Sequence, residues 1–176
     1  AALRSLLQVT EERARAAELW RELGVLLSEG LSDDFEAIEA YSEALRLAPM
    51  YEGVYETLVS LIERAEAWDH LINTLNATLL ECDSDEARAL THARAAHVFE
   101  HKLGALDEAI EQLTALRSLA PHDEEALTAL ARLYERREAW GEQAEVLRTH
   151  ADLIDEELKA LASTQDAQKS SAELEA

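Results

Sequence analysis

The sequence repeats itself every 72 residues. Pro49 recurs as Pro121, Trp68 as Trp140, and Glu36-Ala37-Ile38-Glu39 as Glu108-Ala109-Ile110-Glu111. Laid over itself at that offset, 31–83 matches 103–155 at 18 of 53 positions without a gap. A chain with one irregular core has no reason to keep such a period. A chain of stacked units does, because each unit buries its apolar face against the next.

The units are helical. Two Pro and five Gly interrupt 176 residues, 48% of which are apolar. Ala, Leu, Glu and Arg dominate, and these are strong helix formers. Apolar residues recur at i, i+3, i+4 and i+7 in four places: Trp20, Leu23, Gly24, Leu27; Tyr55, Leu58, Val59, Ile62; His92, Ala95, Ala96, Phe99; and Leu127, Leu130, Ala131, Tyr134. That spacing lays one apolar stripe along a helix. The modest third residue of each set lets a partner helix approach closely. Each stripe is followed by a second at i, i+4, i+7: Ala37, Tyr41, Ala44; Leu71, Leu75, Thr78; Ala109, Leu113, Leu116; and Gln143, Leu147, His150. Every 72-residue unit therefore divides into two helical hairpins.

The punctuation fits. Thr10-Glu11-Glu12, Ser32-Asp33-Asp34 and Asp83-Ser84-Asp85-Glu86 combine an N-cap with acids in the first turn. Pro49 and Pro121 end their helices, because the residue before proline avoids the α region. The spacing predicts helices at roughly 11–30, 33–47, 50–65, 67–82, 84–103, 105–119, 122–137 and 139–160, each boundary good to about 2–4 residues. Residues 2–9 read as a short leading helix. Beyond 160 the apolar period is lost, and 161–176 read as a frayed tail.

Two helices in roughly 34 residues, with a large residue before Leu-Gly and a small-residue helix closing at Pro, resemble the tetratricopeptide repeat. Trp20, Leu23, Gly24, Ala37, Tyr41, Ala44 and Pro49 carry the resemblance most fully. Ala96, Ala109 and Pro121 carry it in the third hairpin. The second and fourth hairpins depart from it. They show Asp83 and Asp155 where Pro is usual, and Thr78 and His150 where Ala is usual, which predicts looser pairing. The resemblance implies an all-α, right-handed solenoid of hairpins at about 11–49, 50–83, 84–121 and 122–160. Residues 1–10 would be the orphan second helix of a preceding repeat. The chain then reads as a segment of a longer array of bacterial type.

The chain carries 37 acidic against 16 basic residues, a net charge of −21. Nucleic-acid binding draws its affinity from Lys and Arg on phosphates, so this balance disfavours it, and anionic membrane surfaces likewise. No apolar run approaches the roughly 20 residues of a membrane span. One cysteine, Cys82, has no internal disulfide partner and reads as a small apolar residue near a helix end. The compartment stays open, with the cytoplasm favoured.

No nucleotide-binding or catalytic motif is present, and the chain reads as non-enzymatic, with no cofactor. His97 and His101 stand four apart on one helix face. A metal would need a third ligand, and Glu100 points off that face, so no metal site is expected. His92 sits in an apolar stripe and reads as a core histidine. Trp68 and Trp140 each follow Glu-Ala and read as packing anchors between hairpins.

In tetratricopeptide arrays the first helix of each hairpin lines a concave groove. Carried over by register, the groove residues are Glu18, Arg21, Val25, Ser28 and Glu29, then Gly53, Glu56, Ser60, Glu63 and Arg64. They continue with Leu90, Ala93, His97, Glu100 and His101, and with Glu125, Thr128, Arg132, Glu135 and Arg136. Seven acids and four arginines in this set make its charge mixed. The family's clamp for a free C-terminal carboxylate needs two Asn and paired Lys with Arg. The matching positions hold Arg21, Val25, Thr57, Leu90 and Arg94, so that mode is not expected. The resemblance implies a protein-interaction module that holds a peptide or folded partner in the groove, centred on Leu90, Ala93 and His97. The alternatives are a structural spacer or a regulatory arm of a larger protein.

Overall fold

The computed structural model describes residues 13–174, all of whose regular elements are helices. They are α1 (Arg13–Val25), α2 (Asp34–Leu47), α3 (Val54–Ala65), α4 (Trp68–Glu81), α5 (Asp85–Val98), α6 (Leu106–Leu119), α7 (Glu124–Arg136) and α8 (Trp140–Leu174). Thr10 and the leading helix expected at 2–9 lie outside the described residues. The chain divides into two compact units, one ending at Leu119 and the other beginning at Ala120.

In the first unit α1 pairs with α2 and α5 with α6. The expected stripes meet at their cores. Leu23, Gly24 and Leu27 are buried against Ala37, Tyr41 and Ala44 in one contiguous cluster that continues through Leu58, Ile62, Leu71 and Leu75. Gly24 explains the tight approach of α1 and α2. A Cβ there would meet Tyr41 ring carbons at 2.7 and 2.8 Å, closer than any side chain allows. The second hairpin differs in kind: α3 and α4 touch each other little, and both pack on α2 instead. That matches the looser pairing expected from Thr78, which is buried with its hydroxyl donating to Thr74 O at 2.8 Å.

Helix ends follow side-chain chemistry. Asp33 accepts from the Glu36 amide, Ser84 from Ala87 and Asp123 from Ala126, each satisfying an orphan donor of a first turn. α2 and α6 stop at Leu47 and Leu119, two residues before Pro49 and Pro121. The 72-residue period reappears as backbone geometry. After α1 and α5 the chain widens into a π-helical turn, Leu26–Gly30 and Phe99–Leu103. These turns close through Asp33 N to Leu27 O and Ala105 N to Phe99 O. Ser32 and Gly104 take φ of 52° and 66°, and Glu66 and Glu138 take 53° and 58°.

In the second unit α7 buries Leu127, Leu130, Ala131 and Leu133 against α8, with Val146 the matching residue across the pair. Three expectations fail here. The two helices pack closely, not loosely, and α7 buries five apolar residues. Leu147, expected in the buried stripe, is exposed, and its neighbour Val146 takes the inward position. The last helix also passes the expected end at about 160 and runs to Leu174. Loss of apolar period reports loss of a packing partner, not loss of helix. Residues 155–172 hold no Gly or Pro to stop the helix.

Candidate functional site

The first helices of the hairpins carry the expected groove residues. On α1, Glu18, Arg21 and Val25 are half-buried, and Glu29 is exposed in the π-helical turn. Arg21 donates to the Tyr51 hydroxyl at 3.3 Å and lies over its ring. On α3, Glu56, Ser60 and Arg64 are exposed, and Arg64 is held by Asp34 at 2.8 Å across to α2. On α5, Leu90 and Ala93 are half-buried and His97 is exposed, as is His101 in the turn that follows. On α7, in the other unit, Thr128, Arg132 and Arg136 are exposed. Thr128 and Arg132 line a shallow concavity of about 350 Å³ with Glu124, Glu125 and Ala129.

Three of these residues, Glu56, Ala93 and His97, come together in one cleft of about 480 Å³ within the first unit. Its other walls are Tyr55, Val59, Trp68, Arg94, Val98 and Lys102. The sequence reading placed none of the six in the groove, although it weighed Arg94 as a position of the family's carboxylate clamp and set that mode aside. Tyr55 and Val59 belong to the α3 stripe, whose other half, Leu58 and Ile62, is fully buried. Their half-exposed edge becomes a wall because α3 and α5 stand apart there. Trp68 was expected to be a packing anchor in preference to part of a ligand site. It does pack against the core, and it also faces the cleft. Trp140, its counterpart 72 residues on, is 60% exposed and anchors nothing in the described residues.

Cations stack on the aromatic walls. The Arg94 guanidinium lies 4.2 Å from the centre of the Tyr55 ring, and Lys102 Nζ lies 4.7 Å from that of Trp68. Arg94 Nη1 donates to Pro49 O at 2.6 Å, and Lys102 Nζ to Glu63 Oε1 at 2.8 Å. Burial pushes the Arg94 pKa down, opposed by Tyr55 and Glu56, and pushes the Tyr55 hydroxyl up. The His97 and His101 rings stack at 4.5 Å. Partial burial first, then His101 and Lys102, holds His97 below its ordinary pKa, against a smaller opposing pull from Glu100.

Two further histidines are structural. His92 Nδ1 pairs with Gln112 Oε1 at 2.8 Å, joining α5 to α6, and His70 Nε2 pairs with Ser42 Oγ at 3.1 Å. Among the described residues no group of three or more His, Cys, Asp or Glu could hold a metal, and no helix is long and apolar enough to cross a membrane. A larger concavity, about 640 Å³, opens near the start of α1. Arg13 dominates it by donating to Leu47 O and Arg46 O and pairing with Asp83. Those contacts satisfy the last carbonyls of α2, a structural task.

No protein-family model and no curated protein matches the sequence. Solved structures do. A crystal structure of MamA aligns over 92% of this chain and 88% of its own, at 19% identity and a TM-score of 0.53. A second crystal structure of MamA protein aligns over 92% and 84%, at 19% and 0.52. The MamA RS-1 ArsTM double mutant aligns over 88% and 83%, at 15% and 0.51. At such identities the likeness is one of backbone. With helices paired in hairpins and geometry repeating at 72 residues, it places this chain in the tetratricopeptide-type helical-repeat fold.

Proposed function

We propose that the chain is a non-enzymatic protein-interaction module whose hairpins, α1–α2, α3–α4, α5–α6 and α7–α8, are units of one array. It would hold a peptide or a folded partner against the face formed by α1, α3 and α5. The cleft between α3 and α5 is the observation that carries this reading. It is concave and aromatic-walled, and it contains Glu56, Ala93 and His97 from the residues that register alone assigns to the groove. Clefts with apolar walls and a few placed polar groups are the usual binding sites of proteins. Arg21, Val25 and Leu90 extend the surface on either side, and Thr128, Arg132 and Arg136 offer a further surface on α7.

The test is to select peptides against the chain by display and to map a selected peptide onto it by amide chemical-shift perturbation. Shifts clustered on α3 and α5, weakened by Leu90→Glu and His97→Ala but not by Glu111→Ala, support the reading. Shifts confined to α2, α4 and α6, or selection that enriches no peptide, overturn it in favour of a spacer or regulatory arm.

A further inference from the structure

The cleft between α3 and α5 holds a cation that the chain does not neutralise. Arg94 is half-buried, yet its partners are a backbone carbonyl, Pro49 O, and the Tyr55 ring. Arg21 shares this state, its partner being Tyr51. Arg13, Arg15, Arg46, Arg64 and Arg88 each contact a carboxylate. Glu56 acts on Arg94 through space without forming an ion pair. Because Nη1 is committed to Pro49 O, the Nε–Nη2 edge is left, the edge that takes both oxygens of a carboxylate. No buried side-chain nitrogen or oxygen lacks a partner, so these unpaired donors reach solvent. Arg94 lines the cleft. Lys102 stands beside Trp68 with its charge already paired to Glu63.

We propose that this cleft selects an internal acidic segment of a partner protein. The side-chain carboxylate of an Asp or Glu pairs with the Arg94 fork, and an adjacent apolar side chain packs on Val59, Trp68 and Val98. The proposal rests on the reading that this face binds peptide, and it names the class of peptide. A half-buried guanidinium partly stripped of water gains more from a carboxylate than an exposed one does. The apolar walls explain why a bare anion would not suffice. An internal acid is favoured over a chain terminus because Val25 and Leu90 have no side-chain donor and the Thr57 hydroxyl donates to Gly53 O.

The experiment measures binding of labelled octapeptide pools by fluorescence anisotropy. Each pool has blocked termini, a fixed leucine, a neighbouring fixed Glu, Gln or Lys, and random residues elsewhere. One further Gln pool carries a free C-terminus. The Glu pool should bind about tenfold more tightly than the Gln pool. Arg94→Gln should erase that preference, Arg94→Lys should keep part of it, and Arg148→Gln on α8 should leave it unchanged. If Arg94→Gln fails to fold by circular dichroism, Ala93→Glu serves instead. Its fixed carboxylate on the cleft wall should weaken the Glu pool selectively. Equal binding of Glu and Gln pools, a Glu preference that survives Arg94→Gln in a folded protein, or tightest binding of the free-terminus pool each overturns the proposal. Amide shifts separate the two readings. Pools that perturb α3 and α5 regardless of charge leave the peptide-binding face standing and remove the acid selection. Pools that never perturb them remove both.

Discussion

At Gly24, one absent methyl sets the spacing of a hairpin. The Tyr41 ring occupies the space where a Cβ would go. Two effects oppose each other in Gly24→Ala. Helix propensity favours alanine by about 1 kcal/mol. Overpacking a rigid aromatic seam costs about 1–3 kcal/mol. With contacts at 2.7 Å the second should win, and urea denaturation should show a net loss of about 1–2 kcal/mol. Gly30→Ala, with nothing within 4 Å of the added carbon, should be close to neutral. His97 supplies a second prediction. Its folded pKa lies below the unfolded value of about 6.5. Between the two values the unfolded chain binds the extra proton, so the contribution is intact above about pH 6.5 and stability is lost as pH falls through that window. Thermal midpoints measured from pH 7.5 to 5 should fall more steeply for the wild type than for His97→Gln. Equal slopes would mean that the ring is not desolvated enough to matter.

At the scale of elements, the two halves of the repeat solve the same turns with different residues. Ser32 and Gly104 occupy equivalent left-handed positions, but only glycine does so without a Cβ clash. Ser32→Gly should therefore stabilise the chain by about 0.5–1 kcal/mol, the relief of a left-handed residue less the added freedom of the unfolded chain. Gly104→Ser should destabilise it by a similar amount, and chemical denaturation of the pair reads both signs. The same comparison explains why α4 stops and α8 does not. Ser84 caps α5 and ends the run from α4, whereas its counterpart is Glu156, a good helix former with no capping habit. It also explains Trp140. Trp68 is covered by Lys102 of the hairpin that follows it, and no described residue follows α8 to cover Trp140 in the same way.

For the molecule as a whole, a net charge of −21 means that like-charge repulsion opposes compaction. Opposing it are exposed ion pairs such as Arg64–Asp34, Lys102–Glu63 and Arg13–Asp83. Each of these is worth about 0–1 kcal/mol and is itself screened by salt. The charge excess outnumbers these pairs, so screening should help on balance. Raising NaCl from low to physiological strength, where the Debye length falls to about 8 Å, should raise the unfolding midpoint by a few degrees. A falling midpoint would show that the ion pairs dominate.

Much of this architecture was legible before any coordinate. A helix buries one stripe, and the spacing of Leu23, Gly24 and Leu27, or of Leu58 and Ile62, declares that stripe without reference to a partner. Asp33, Ser84 and Pro49 likewise mark helix ends through bonds made or refused within a few residues of themselves. Part of the candidate site, Glu56, Ala93 and His97, was reached by register. Its cationic, aromatic character was not. Tyr55 and Trp68 read as packing residues because aromatic side chains mostly bury area, and whether one edge of a ring stays open depends on how far apart α3 and α5 stand. The same holds for Arg94, one of many charged residues until the fold sets it on Tyr55 and Pro49 with no carboxylate in hydrogen-bond contact. Local periodicity and capping determined where most of the helices lie. Only the tertiary structure decided which polar and aromatic groups were left without partners, because that depends on contacts between residues far apart in the chain.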